Sequence, residues 1–129
     1  MLSEKAPQKY SHVKVFFKIW MESAEGLGVL DDLCWQLLKN IDQFHSLSKA
    51  STDLGISYRK AWGDLRKAEQ LLGFPLVEKH RGGARGGETL LTADGQRFVA
   101  SYNDFHKEFS AAVDPIIVKL KRSLKEKSS

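Results

Sequence analysis

Between Ser46 and Leu91 the chain places helix patterns, glycine stops and a basic glycine-rich turn in an order that few folds accept. Ser46 or Ser48 can cap a short helix whose buried side is Leu47, Ala50 and Leu54. Gly55 ends it by taking a left-handed conformation at no steric cost, and Ile56 plugs the turn. Ser57 caps a second helix running to about Leu72, with Gly73 as its stop and Pro75 beyond. Its apolar stripe is Ala61, Leu65, Ala68 and Leu72, while Arg59, Gly63, Arg66 and Gln70 lie opposite, flanked by Lys60 and Lys67. Small residues inward and cations outward let such a helix sit close to its core and still offer guanidinium groups to a major groove.

A hairpin completes the pattern. Leu76 to His80 and Thr89 to Leu91 read as paired strands around an Arg-Gly-Gly-Ala-Arg-Gly-Gly tip from Arg81 to Gly87. Glycines let a backbone follow a phosphate contour, and Arg81 and Arg85 supply charge that needs no base reading. A helix for the groove beside a loop for the phosphates is a winged helix-turn-helix. The expected fold is mainly α with a small β component. The domain includes an amino-terminal strand or hairpin and is followed by a long carboxy-terminal dimerisation helix.

The charge distribution agrees. The whole chain carries +4, but residues 1–56 hold six Lys/Arg against seven Asp/Glu, residues 57–87 seven against three, and residues 88–129 seven against six. The middle segment alone therefore accounts for the excess, and a clustered excess points to a polyanion. Cys34 lies in an apolar helical pattern and reads as a small buried hydrophobe, which with no second cysteine fits a reducing compartment. No run of about 18 apolar residues and no signal-peptide core occur, so a cytoplasmic location is expected.

Residues 1–12 are polar and are expected to be a disordered tail, with the winged domain spanning 13–91. Val13 to Trp20, rich in β-branched and aromatic residues, suits a strand, and Leu27 to Leu30 could return beside it. Asp31 or Asp32 can cap the first core helix, whose stripe is Leu33, Leu37, Leu38, Ile41 and Phe44. Trp35 lies off that stripe and either covers the hairpin or faces a second subunit.

Residues 92–124 form the last expected helix, opened by Thr92 and kinked or restarted near Pro115, with a basic tail at 125–129. Phe98, Tyr102, Phe105, Phe109, Ala112 or Val113, Ile116 with Ile117, and Leu120 recur along it at helical spacing. A stripe of that length exceeds what one small domain covers, so a symmetry mate is expected to pack on it.

At Ser46 to Ala50, Leu54 to Trp62, Leu72 to Glu78, the paired glycines 82–83 and 86–87, and Leu91-Thr92 with Gly95, the sequence resembles the amino-terminal domain of ModE-type molybdate-responsive transcriptional regulators. Lys18 to Glu22 and Leu37 to Asp42 extend the resemblance, which covers about residues 13–110. LysR-type regulators share the helix-turn-helix in looser form. The resemblance implies a dimer on a palindromic operator, with Ser57, Tyr58, Arg59, Lys60 and Gly63 near bases and Arg81 and Arg85 near phosphates. Arg66 and Lys67 join them from the basic face. Family members carry carboxy-terminal molybdate-binding domains, and nothing after about Leu124 could form one, so molybdate binding by this chain is not expected. Standing alone, responding through another protein and binding DNA constitutively all remain open.

No catalytic chemistry is legible, and no cofactor or metal is expected. Gly82 and Gly87 have the spacing of a phosphate-binding loop, but Glu88 stands where its lysine belongs and would repel phosphate. His12, His45, His80 and His106 are dispersed, without metal-ligand spacing. The alternatives to a sequence-specific regulator are a winged-helix protein-interaction module and a nonspecific architectural DNA binder.

Overall fold

The computed structural model describes residues 9–28, 30–81 and 87–127. Two compact units divide the chain: residues 18–103 form one, and residues 1–17 with 104–129 form the other.

The larger unit begins with a hairpin of β1 (Trp20–Met21) and β2 (Leu30–Asp31), with Trp20 opposite Asp31 and Met21 opposite Leu30. Its turn is closed by Ser23, whose Oγ accepts from Leu27 N at 2.8 Å. The long strand expected over 13–20 is thus reduced to its end, and the return begins at Leu30 rather than Leu27. The return ends at α1 (Asp32–Phe44): Asp31, the last residue of the ladder, also caps that helix, its Oδ1 accepting from Cys34 N at 3.1 Å. A strand with no partner beyond two residues leaves its amides without ladder bonds.

α1 buries Cys34, Leu37, Leu38 and Ile41 against α2 (Leu47–Asp53) and α3 (Tyr58–Leu72). Cys34 takes the core position expected for Leu33, and desolvation pushes its thiol up to about 12. Ser46 Oγ caps α2 by accepting from Lys49 N at 3.1 Å. The turn takes Gly55 at φ +71°, and Ile56 packs against the core. In α3, Ala61, Leu65 and Ala68 are fully buried, and Gly73 closes the helix at φ +85° with its N–H on Glu69 O. These are the residues and stops that the apolar spacing anticipates.

β3 (Val77–His80) and β4 (Glu88–Leu91) pair antiparallel from Val77 opposite Leu91 to His80 opposite Glu88. Their root is held from two sides. Glu69 of α3 accepts from Leu76 N at 2.7 Å and Val77 N at 3.3 Å. Thr92 Oγ1 donates to Pro75 O at 2.9 Å and accepts from Gly95 N at 3.0 Å, capping α4 (Ala93–Lys127). A side chain at Gly95 would collide with the Leu76 carbonyl oxygen, so only glycine allows this approach.

The first turns of α4 complete this core. Trp35 Nε1 donates to Asn103 Oδ1 at 2.6 Å, and the Trp35 ring lies 5.3 Å from that of Tyr102. Trp35 therefore packs within its own chain, against α4. Tyr102 is a correction to the expected dimer face: it is 4% exposed, and its hydroxyl donates to Asp32 Oδ1 at 2.6 Å. Phe98 is likewise half-buried against the core and stacks on Tyr102 at 5.5 Å. Both residues obey the same helical spacing as the stripe beyond them, and spacing alone does not say which partner covers a stripe.

In the smaller unit, residues 13–17 lie along the carboxy-terminal part of α4. The Phe17 ring is 5.2 Å from Phe109, which is 5.9 Å from Phe105, and Lys121 Nζ donates to the carbonyl of Val13. The helix continues through Pro115 instead of restarting at Asp114, although the missing N–H leaves the Ala111 carbonyl without its helical donor. Val113 and Ile117 are half-buried, whereas Phe105, Ile116 and Leu120 are exposed. Residues 125–127 are helical too, in place of the start of the expected tail.

The buried Tyr102 gives a stability test. Burial first, and then its bond to Asp32, push the Tyr102 phenol above its ordinary value. A raised value means that its contribution is full below the unfolded phenol value of about 10 and is lost as pH rises through the folded one. Tyr102→Phe is expected to lower stability at neutral pH by about 1.5–3 kcal/mol in urea denaturation. It should also abolish the phenol's share of the alkaline loss; equal stabilities at pH 7 would refute the bond's role.

Candidate nucleic-acid interface

The basic surface is organised by the first turn of α3. Ser57 Oγ accepts from Lys60 N at 3.0 Å, fixing the helix start in space. With Ala61, Leu65 and Ala68 inward, helical periodicity turns Arg59, Lys60, Gly63, Arg66 and Lys67 outward, and all five are exposed. Lys60 is partly engaged by its own helix, 3.2 Å from Asp64. At Gly63 an added Cβ would meet nothing within 4 Å, so packing within the chain does not require a glycine there.

Aromatic residues brace this face. Tyr58 and Trp62, one helical turn apart, are joined by Trp62 Nε1 donating to Tyr58 Oη at 3.0 Å. Lys79 Nζ reaches across from β3 to donate to the same oxygen at 2.9 Å. Lys79 also lies 4.6 Å from the Trp62 ring centroid, and the Arg66 guanidinium lies 5.3 Å from it. These are cation–π distances. Hydrogen bonding from Lys79 holds the Tyr58 phenol below its ordinary value, since the ammonium favours the phenolate; burial opposes it, and Trp62 adds to the lowering.

Between the start of α2, the start of α3 and the β3–β4 hairpin lies an open cleft of about 700 Å³, lined by Ser46, Ser48, Tyr58, Lys79, Arg81 and Glu88 among others. Lys79 and Arg81 make its hairpin wall basic, with Glu88 as a counter-charge near His45 at 3.9 Å. Arg81 is exposed at the end of β3. Arg85 and the glycines at 82, 83 and 86 lie outside the described residues. Among the described residues no group of three or more His, Cys, Asp or Glu side chains could hold a metal ion, and no helix is long and apolar enough to cross a membrane.

Comparison with known proteins agrees with this geometry. Residues 35–96 match the bacterial regulatory helix-turn-helix protein family of the LysR type. The chain is 34% identical over 91 residues to the molybdenum transport protein ModE of Azotobacter vinelandii, covering 70% of this chain and 34% of that protein. It is 42% identical over 67 residues to the DNA-binding transcriptional dual regulator ModE of Escherichia coli K12, covering 52% of this chain and 26% of the relative. The molybdenum-pterin-binding protein MopB of Rhodobacter capsulatus is 36% identical over 66 residues, covering 51% and 24%. The chain carries a ModE-type DNA-binding domain. The matched stretch spans about a third of the Azotobacter relative and about a quarter of the other two.

In this ModE-type domain α3 is the second helix of the helix-turn-helix and β3–β4 the hairpin after it. The structure gathers Ser57, Tyr58, Arg59, Lys60, Gly63, Arg66 and Lys67 on one helix and brings Arg81 to the cleft beside its first turn. Ser57 acts first as a cap, with its oxygen committed to the Lys60 amide. Sequence reasoning missed Trp62 and Lys79. The signals were present: Tyr58 and Trp62 stand at i,i+4, and Lys79 shares a strand face with buried Val77 and so points back toward α3.

Loss of the Ser57 cap is expected to loosen the interface from its base. Ser57→Ala should cost about 1 kcal/mol of stability in thermal or urea unfolding. Ser57→Asp, which can cap equally well, should restore it; a Ser57→Ala protein as stable as the parent would contradict the capping role.

Proposed function

We propose that the chain is a sequence-specific transcriptional regulator of ModE type that binds duplex DNA as a homodimer. The carrying observation is the two-sided character of α3. Its inner face is fully buried at Ala61, Leu65 and Ala68, and its outer face offers Arg59, Lys60, Arg66 and Lys67 beside Lys79 and Arg81 of the hairpin. In this reading α3 enters the major groove by its first turns, and Arg59 is the foremost base-reading cation. Gly63 supports close approach of the helix: within a helix glycine costs about 0.5–1 kcal/mol against alanine, and nothing inside the chain requires it. Arg81 and Arg85 act as phosphate contacts of a wing.

Dimerisation is supported by the apolar surface that α4 leaves exposed at Ile116, Val118 and Leu120. Phe105, Phe109, Ala112, Ile116 and Leu120 recur at spacings of three and four, and Ile116 is 62% exposed. Val113 and Ile117 flank that stripe and are half-buried. A second copy of the same helix would cover it, which makes a two-fold pair and hence a palindromic operator. Tyr102, buried within its own chain, does not belong to this face. A protein working on bacterial chromosomal DNA acts in the cytoplasm, and no catalytic step is proposed. Molybdate is not proposed as a ligand of residues 1–129.

Light scattering should return twice the 14.6 kDa chain mass, and Ile116→Asp should return one chain with the winged domain still folded. A wild-type mass of one chain would remove the dimer from the proposal. On DNA, Arg59→Ala is expected to cost about 1–3 kcal/mol on the preferred sequence and little on random duplex. Arg81→Ala should weaken all duplexes alike and lower the salt slope by about one. Equal losses for both variants on both kinds of duplex would contradict the division between base and phosphate contacts.

A further inference from the structure

Tyr58 Oη stands between two groups that can only donate. Lys79 Nζ lies 2.9 Å away and Trp62 Nε1 3.0 Å away. An ammonium has hydrogens and no lone pair, and an indole nitrogen offers only its N–H. A phenol oxygen has two lone pairs and one hydrogen. Both lone pairs are therefore taken, and what remains is the O–H. The side chain is 44% exposed at the rim of the cleft, beside Arg81.

The oxygen is also held in place. Lys79 extends from β3 on the same strand face as buried Val77, and its ammonium lies over both the Trp62 and Tyr58 rings, at 4.6 and 5.6 Å. Arg66 lies over the Trp62 ring as well, at 5.3 Å. The first two turns of α3 and the first strand of the hairpin are thus tied at one atom.

The geometry points to Tyr58 as a hydrogen-bond donor committed to an acceptor atom of DNA, with Lys79 and Trp62 as the positioning residues that commit it. This rests on the reading that α3 faces DNA. An unconstrained tyrosine hydroxyl can donate or accept and so tolerates either kind of base edge. This one takes purine N7, guanine O6, thymine O4 or a phosphate oxygen, and it rejects the exocyclic amino groups of adenine and cytosine. Lys79→Met would release one lone pair and, with it, the restriction.

The test is anisotropy titration of wild type, Tyr58→Phe, Lys79→Met and the double variant on the preferred duplex, its single-position variants and random duplex. Tyr58→Phe is expected to bind about tenfold more weakly, the loss of one hydrogen bond. A loss confined to one base-pair position identifies a base edge as the acceptor, and a loss shared by every duplex identifies a phosphate. In the double variant the Tyr58 and Lys79 losses should combine to less than their product, and Lys79→Arg, which restores a cationic donor, should recover most of the Lys79→Met loss. As a readout free of DNA, the Tyr58 ring-carbon resonance should ionise at higher pH in Lys79→Met than in wild type.

Tyr58→Phe binding every duplex as wild type does, while Arg59→Ala still loses affinity, would overturn this inference and leave the DNA reading standing. Fully independent Tyr58 and Lys79 losses would also overturn it. Wild type that binds no duplex at all would overturn both.

Discussion

One carboxylate ties the parts of the winged domain together. Glu69, in the last turns of α3, accepts the amides of Leu76 and Val77 and so determines where the hairpin leaves the helix. The opposite side of the same junction is closed by Thr92, which bonds to Pro75 O, and by Gly95, whose missing side chain admits the Leu76 carbonyl. Hydrogen bonds to a charged group contribute about 1.5–3 kcal/mol each. α3 and the β3–β4 hairpin therefore have a common root, and Lys79 reaches Tyr58 because of it. Thr89 N, donating to His45 O at 3.1 Å, ties the returning strand to the end of α1 in the same way.

The interior of α3 explains why a strongly basic helix is tolerated. Ala61 and Ala68 let it approach α1 and α2 closely, and Leu65 supplies the apolar area, so the cations need contribute nothing to folding. Exposed cations add little stability even when paired, as Lys60 is with Asp64. Of the cations clustered between Ser57 and Gly87 in the sequence, Arg59, Lys60, Arg66, Lys67, Lys79 and Arg81 are all exposed in the fold.

Local chemistry was readable and partner choice was not. Asp31, Ser46, Ser57 and Thr92 cap the helices that their side chains suit, and Gly55 and Gly73 take the left-handed conformations that end them. The strand expected at 13–20 failed because its apolar alternation says nothing about a partner, and Asp31 ends the return strand after two residues. Tyr102 failed for a related reason. Its spacing joins it to Phe105 and Phe109, yet a carboxylate at Asp32, 70 residues earlier, claims its hydroxyl. In the sequence nothing pairs Lys79 with Trp62, and only the hairpin's placement brings them together. Of the kink or restart expected at Pro115, the restart does not occur, because a long helix with ordinary turns on both sides continues through one missing hydrogen bond.

The most direct measurement is selection from a randomised duplex library by this protein at several salt concentrations, with sequencing of the retained fraction. A ModE-type dimer should enrich an inverted repeat with half-sites about one helical turn apart, and its retention should fall steeply with salt. Absence of salt-sensitive retention at every concentration would contradict a DNA-binding role for the basic face of α3 and its hairpin.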